Sequence, residues 1–239
     1  MKGIKNLSIV IPVFNEEKFI AKTVKRVFAA DSLDIKKEII IVDDGSKDKT
    51  SIILKSIKKK EENIKIKIKK NNEGKGAALK DGFLMTSGDI VLVQDADLEY
   101  DPDDYPILLE PFLKSNADVV YGSRLSTTKP HRVLYFWHYI VNKLLTTFSN
   151  MLTNLNLTDM ETGYKVFRGE IIRKIAPKLE SKRFGFEPEI TARISKLKDI
   201  KIFEVGISYS GRTYKEGKKI GWKDGLIAVW EIIKYNLLQ

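Results

Sequence analysis

Leu7-Ser8-Ile9-Val10-Ile11-Pro12-Val13 is an almost unbroken apolar run of strand length, followed at once by Phe14-Asn15-Glu16. A run that is apolar on both alternating faces belongs inside a sheet covered on both sides. Ile39–Val42 and Ile90–Val93 repeat the pattern and its β-branched residues. Between the first two runs, Ile20, Val24, Val27 and Phe28 recur at helical spacing. Between the second and third, Ala78, Leu79 and Phe83 do the same after a glycine-containing turn. This alternation predicts one α/β domain with a mostly parallel sheet flanked by helices.

Working outward, Ile64, Ile66 and Ile68 alternate with lysines and read as a half-exposed strand near the sheet edge. Val119–Tyr121 and Ile202–Val205 read as further short strands. Pro102–Lys114 predicts a helix with Tyr105, Leu108, Leu109 and Phe112 inward, and Val133–Leu157 predicts one or two amphipathic helices. No linker, internal repeat or low-complexity tract divides the chain.

The chain has no cysteine, which excludes disulfides, thiolate metal sites and cysteine nucleophiles. No signal-peptide core and no uncharged apolar stretch of membrane-spanning length stands out, so a cytoplasmic chain is expected. The net charge of +10 points to an anionic partner: nucleic acid, phosphates or an acidic lipid surface. The lysines of 55–70 read as a solvated face, and no clustered basic-aromatic motif argues for nucleic acid.

Every informative polar cluster lies just after a predicted strand, where open α/β sheets bind ligands. Asp43-Asp44-Gly45-Ser46 follows the second strand and Gln94-Asp95-Ala96-Asp97-Leu98-Glu99 the third. Asp95 and Asp97 can share one hard cation, Mg²⁺ or Mn²⁺ with a diphosphate, and Glu99 is a candidate third ligand. Asp43-Asp44 also reads as a strand-ending turn, with Ser46 or Asp48 as a helix cap. Asn72-Glu73-Gly74-Lys75-Gly76 precedes a helix and suits an anion, yet matches neither the P-loop nor the dinucleotide fingerprint.

In order and spacing, Pro12-Val13-Phe14-Asn15-Glu16, Val42-Asp43-Asp44-Gly45-Ser46, Asn72-Glu73-Gly74-Lys75-Gly76 and Asp95-Ala96-Asp97 resemble family 2 of the inverting glycosyltransferases, with the GT-A fold. Tyr121-Gly122-Ser123-Arg124, the stretch from Thr158 to Lys165, Phe184-Gly185-Phe186-Glu187 and Gly211–Ile220 resemble the branch that makes dolichyl- or polyprenyl-phosphate mannose and glucose. The resemblance implies a nucleotide-binding half of about residues 1–99, an acceptor-binding half of about 100–225 and a C-terminal amphipathic helix over 226–239. It places Pro12, Phe14, Glu16, Asp43 and Asp44 around base and ribose, with Lys75 nearby and Asp95 at the diphosphate. Arg124 and Arg132 would meet the acceptor phosphate, and Arg212 and Lys218 the donor phosphates; Asp95, Asp97, Arg124 and Arg212 form the catalytic set. Many relatives continue into C-terminal membrane helices, whereas this sequence stops at Gln239, which leaves room for a separate membrane-anchoring partner.

The implied donor is UDP-glucose or GDP-mannose, the acceptor a polyprenyl phosphate, and the location the cytosolic face of an anionic membrane, with Val133–Leu157 resting on it. A phosphate acceptor needs little help from a base, which suits a chain whose only histidines, His131 and His138, read as helix-surface residues. A soluble glycan or protein acceptor would instead want a carboxylate base, for which Glu161 and Glu187 are candidates. A non-enzymatic nucleic-acid or membrane-binding protein would leave the aligned carboxylates unexplained.

Overall fold

A computed structural model describes residues 3–59, 61, 63–128, 131–133, 135–212 and 222–239. The decisive apolar run is strand β1 (Asn6–Val13), whose Leu7, Ile9, Ile11 and Val13 enter one core while Val10 enters the other. This is the period-two alternation of a strand buried on both faces. Helix α1 (Ile20–Ala29) leads to β2 (Lys36–Asp43), and α2 (Thr50–Lys58) to β3 (Ile64–Ile68). Helix α3 (Lys75–Leu84) then leads to β4 (Ile90–Val93).

The sheet has seven strands in the order β3-β2-β1-β4-β6-β5-β7, with β5 at Val119–Ser123, β6 at Lys165–Arg168 and β7 at Ile202–Gly206. All neighbours pair in parallel except β6, which runs antiparallel to both β4 and β5. β3 closes one edge, with Ile64 buried and Ile68 exposed, as the lysine alternation predicts. Sequence order reverses on the two sides of β1, so the switch point lies between β1 and β4.

One core packs α1, α2 and α4 (Tyr105–Lys114) on the sheet, and Tyr105, Leu108, Leu109 and Phe112 are all buried. A short 3₁₀ turn over Pro102–Asp104 precedes α4, so the predicted helix begins in a tighter turn than expected. The opposite core packs α3, α6 (Gly169–Ile175) and α7 (Phe186–Ser195), centred on Phe83, which lies 6.0 Å from both Phe167 and Phe186. The apolar segment after β5 forms a single helix, α5 (Phe136–Thr153), which Asn154 ends in a left-handed conformation at φ 55°. His138 lies on that helix, but His131 precedes it and is not a helix residue.

The C-terminal helix α8 (Trp222–Ile233) begins four residues earlier than expected and continues into a π turn over Lys234–Leu238. Leu145 of α5 and Ala228 and Ile232 of α8 form a third, smaller cluster with Met160. No helix among the described residues is long and apolar enough to cross a membrane.

Candidate functional site

The loops after β1 and β2 are stitched to each other before any ligand is considered. The Asn15 backbone N–H donates to Ser46 Oγ at 2.9 Å, and Asn15 Oδ1 accepts from the Lys47 N–H at 2.8 Å. The Glu16 N–H donates to Thr50 Oγ1 at 3.0 Å. Asp43 is fully buried and accepts from the Ser46 N–H and from the Ser51 hydroxyl. Asp44, also buried, accepts from the Glu73 and Gly74 N–H groups, the latter at 2.6 Å, and pairs with Lys69 at 2.8 Å. These two aspartates therefore hold the walls of the crevice, and Pro12 sits buried one residue before the end of β1, beside Val42. Gly74 has φ 107°, and a Cβ there would overlap the Lys182 carbonyl, so only glycine permits this approach.

The D-x-D segment is aimed by a buried amide. Gln94 Oε1 accepts from the hydroxyls of Tyr105 and Tyr164, and its Nε2 donates to the Asp95 carbonyl at 3.0 Å. From α1, Thr23 Oγ1 donates to the Ala96 carbonyl at 2.8 Å. β4 ends at Val93, and Ala96 and Asp97 lie in a turn, so the two carboxylates approach through a turn and not along extended backbone. Lys75 Nζ lies 3.1 Å from Asp95 Oδ1 and 3.2 Å from Glu187 Oε1. Burial works to lower the Lys75 pKa, but Asp95 and Glu187 together hold it above its ordinary value.

On the other side, the Arg212 guanidinium reaches Asp97 Oδ2 at 2.8 Å, Glu99 Oε1 at 3.2 Å and Glu16 Oε2 at 3.4 Å, over the Phe19 ring. Burial, Asp95 and Glu99 push the Asp97 carboxyl up to about 7 despite Arg212, so this point asks for further positive charge. Glu99 is engaged otherwise: Oε1 accepts from the Arg212 backbone N–H at 2.9 Å and Oε2 from the Tyr209 hydroxyl at 2.6 Å. Among the described residues no three carboxylates or imidazoles form a closed metal cage. A hard divalent ion fits an open oxygen site of this kind, with a diphosphate and water completing its shell.

Arg124 follows β5 and forks onto Asp159, with Nε to Oδ2 and Nη2 to Oδ1 both at 2.7 Å. Asp159 has no exposed surface and also accepts from the Arg124 N–H and from Asn142. The Arg124 guanidinium lies 5.2 Å from the Tyr209 ring centroid. Arg132 donates its N–H to the Tyr209 carbonyl and its Nη1 to the Gly211 carbonyl, which ties the segment before α5 to the stretch carrying Arg212. Phe14 is half-buried at the crevice wall. Lys218, and the 213–221 part of the basic segment, lie outside the described residues.

A family model for glycosyl transferase family 2 matches residues 8–176, which spans the β1–α6 unit and both carboxylate clusters. The chain belongs to glycosyl transferase family 2. A dolichyl-phosphate beta-glucosyltransferase of Dictyostelium discoideum is 31% identical over 217 residues, covering 85% of this chain and 66% of that protein. An undecaprenyl-phosphate 4-deoxy-4-formamido-L-arabinose transferase of Photorhabdus laumondii is 28% identical, covering 90% of this chain and 63% of that protein. The chain thus spans a little under two thirds of the length of these relatives. Glucosyl-3-phosphoglycerate synthase of Mycobacterium tuberculosis, solved with Mn²⁺, uridine diphosphate and phosphoglyceric acid, shares the fold at 19% identity, with a TM-score of 0.70 over 98% of this chain and 79% of that one. A second structure of that synthase, with Mg²⁺ and uridine diphosphate, gives a TM-score of 0.69 over 97% of this chain and 79% of that one, again at 19% identity. The expected GT-A architecture of this family 2 chain is thereby met.

Sequence reading did not single out Gln94, Tyr164, Lys165 or Asp159 as site residues, although all four lie inside quoted stretches. Among the described residues Lys165 is the one buried lysine, and it donates to the carbonyls of Met160 and Thr162. Burial lowers its pKa to about 8. Nothing in the short run Lys165-Val166-Phe167-Arg168 signals this burial, since a lysine is almost always exposed unless the fold supplies partners.

Proposed function

We propose that this chain transfers a hexose from a nucleoside diphosphate sugar to a polyprenyl phosphate, inverting the anomeric centre with a divalent metal. The observation that carries this reading is the carboxylate pair Asp95 and Asp97 at the β1/β4 switch point, bracketed by Lys75 and Arg212. Residues 1–99 serve the nucleotide and the segment after them the acceptor. Pro12, Phe14 and Glu16 border the base and ribose, in a crevice whose walls Asp43 and Asp44 hold.

Asp95 and Asp97 would hold the Mg²⁺ or Mn²⁺ ion, which would supply electrostatic stabilisation to the departing diphosphate. Lys75 and Arg212 add positive charge on either side of that group. Arg124, fixed by Asp159 through Nε and Nη2, meets the acceptor phosphate with Arg132, whose Nη1 is held by the Gly211 carbonyl. That phosphate is already anionic, so alignment replaces general-base catalysis. Glucose is favoured over mannose because the Dictyostelium discoideum relative is a dolichyl-phosphate beta-glucosyltransferase.

The acceptor class is further supported by an apolar outer surface. Phe136, Trp137, Leu144 and Met151 of α5, with Leu226 and Trp230 of α8, are each more than half exposed. Two adjacent helices with such faces suit the interface of an anionic membrane, where the basic chain would rest peripherally on the cytosolic side.

The test is incubation of the chain with undecaprenyl phosphate, Mg²⁺ or Mn²⁺, and a panel of nucleotide sugars, with product read by mass spectrometry. A metal-dependent sugar-phosphate lipid is expected from UDP-glucose or GDP-mannose. Transfer to soluble glycans alone, or no transfer and no donor hydrolysis, would overturn the reading.

A further inference from the structure

Gln94 follows β4 directly and has no exposed surface, so its amide must be satisfied from within the protein. Oε1 accepts from the Tyr105 hydroxyl of α4 at 2.8 Å and from the Tyr164 hydroxyl, one residue before β6, at 2.7 Å. Two phenols fill both lone pairs of that oxygen. Nε2 donates to the Asp95 carbonyl at 3.0 Å and lies 3.5 Å from the Tyr100 carbonyl. Carbonyls only accept, so the nitrogen must face them, and chemistry alone fixes which way the amide points. An ionised glutamate here would set acceptor against acceptor, and an aliphatic residue would take the partner from two buried phenols and a carbonyl.

The segment this amide holds does not hold itself. Beyond the turn at Ala96 and Asp97, Leu98 stands at φ 64°, in the left-handed region that a bulky side chain enters only where its surroundings impose it. Before that residue, the imposing contacts are two donors from outside the loop: Gln94 on the Asp95 carbonyl, and Thr23 of α1 on the Ala96 carbonyl at 2.8 Å. Those carbonyls belong to the two peptide planes between Asp95 and Asp97, so together the donors set how the two carboxylates stand to each other.

We propose that Gln94 is a positioning residue for the metal site, and that through it Tyr164 ties the placing of Asp95 and Asp97 to the segment entering β6, which carries Asp159. This deepens the metal reading of the Asp95–Asp97 pair and rests on it. Gln94 acts on the Asp95 backbone and touches neither ion nor substrate; Tyr164 acts one step further back, through Gln94. The same segment fixes Arg124 by way of Asp159. Two hydrogen bonds, Tyr164 to Gln94 and Gln94 to Asp95, thus join the frame of the acceptor side to the metal carboxylates.

The experiment is calorimetric titration of the full chain with UDP, and separately with GDP, across a series of Mn²⁺ concentrations, which gives the Mn²⁺ concentration that half-saturates the protein–nucleotide complex. It is run on wild type, Gln94→Met, Tyr164→Phe, the double variant and Tyr121→Phe. Tyr121 is also fully buried, and its hydroxyl bonds Thr191 at 3.0 Å in the opposite core, so Tyr121→Phe removes a comparable hydrogen bond away from the D-x-D. Gln94→Met is expected to raise the half-saturating Mn²⁺ concentration about tenfold or more and Tyr164→Phe about three- to fivefold, with metal-free nucleotide binding changed by less than about twofold. On the Gln94→Met background Tyr164→Phe should add less than about twofold, because its path to the site is already cut. Tyr121→Phe should leave the Mn²⁺ requirement within about twofold of wild type. An unchanged requirement in Tyr164→Phe would overturn the proposal, even if Gln94→Met failed to fold. So would an equal rise in Tyr121→Phe, which would mean general loosening, or additive effects in the double variant. A wild type whose nucleotide binding ignores Mn²⁺ would overturn the metal reading itself, and this inference with it.

Discussion

Replacing Asp159 by Asn tests whether Arg124 is held by a buried charge or merely lies near one. The two side chains share a fork at 2.7 Å and 2.7 Å, Asp159 is completely buried, and the Arg124 side chain is 13% exposed. Burial works against the Asp159 charge, but Arg124 holds its pKa below the ordinary carboxylate range. Removing one member of such a pair strands the other and costs about 3–5 kcal/mol. At roughly 2–4 °C per kcal/mol for a chain of this size, Asp159→Asn should melt about 6–20 °C below wild type. Arg124→Met removes the cation instead, and the double variant Arg124→Met/Asp159→Asn removes both charges. The double variant should be at least about 1–2 kcal/mol more stable than the sum of the single changes, because neither charge is left alone. Chemical denaturation of all four proteins closes the cycle. Additive losses, or an Asp159→Asn loss below about 1 kcal/mol, would refute the reasoning. Activity should not follow stability: the double variant, however well folded, should transfer to the lipid phosphate no better than Arg124→Met.

Asp97→Ala is expected to lower kcat/KM by about a hundredfold or more and to abolish the stimulation by Mg²⁺ or Mn²⁺; undiminished turnover of this variant in the presence of a chelator would remove Asp97 from the metal site. Glu38 accepts from the Ser8 and Ser87 hydroxyls, the Ser87 N–H and Lys65, which against the effect of burial hold its carboxyl at about 2. Because the folded value lies below the unfolded one, its contribution of roughly 2–3 kcal/mol is present above about pH 4.5 and is lost as pH falls through 2, so wild type should lose more stability than Glu38→Gln between pH 6 and pH 2 in urea titrations. Trp137→Glu and Trp230→Glu should each weaken sedimentation with anionic vesicles by about tenfold while leaving transfer to a short, water-soluble polyprenyl phosphate near the wild-type rate.

The parallel half of the fold was legible because β1, β2 and β4 are apolar on both faces, a pattern that only a doubly covered sheet accounts for. The metal-site carboxylates were legible for a related reason: Asp95 and Asp97 stand at the end of such a strand, where polar groups have one exit. Asp43 and Asp44 carried the same signal, yet their oxygens are engaged by the backbone of Ser46, Glu73 and Gly74. A turn-forming aspartate and a ligand-binding one look alike until the chain around them is placed. Glu99 also could not be read, because its partners Tyr209 and Arg212 lie more than a hundred residues away. Strand β6 was missed outright, since four residues with a lysine at one end and an arginine at the other present no period to recognise.

That missed strand explains how the site is assembled. In a purely parallel sheet, the rim at the carboxyl ends of the strands receives only loops that leave strands, and here those deliver Glu16, Asp97 and Arg124. Because β6 is antiparallel, its first residue, Lys165, pairs with Tyr121 near the end of β5, while its last, Arg168, pairs with Ile90 at the start of β4. The segment entering β6 therefore reaches the same rim from the opposite direction, bringing Asp159 to Arg124 and Gly163 to Asp95. Helix α5 feeds that segment, so the apolar surface of α5 and the carboxylates of residues 159–161 are separated by only a few residues of chain. One reversed strand thus couples the face proposed to meet the lipid to Asp159, which fixes the arginine proposed to grip its phosphate.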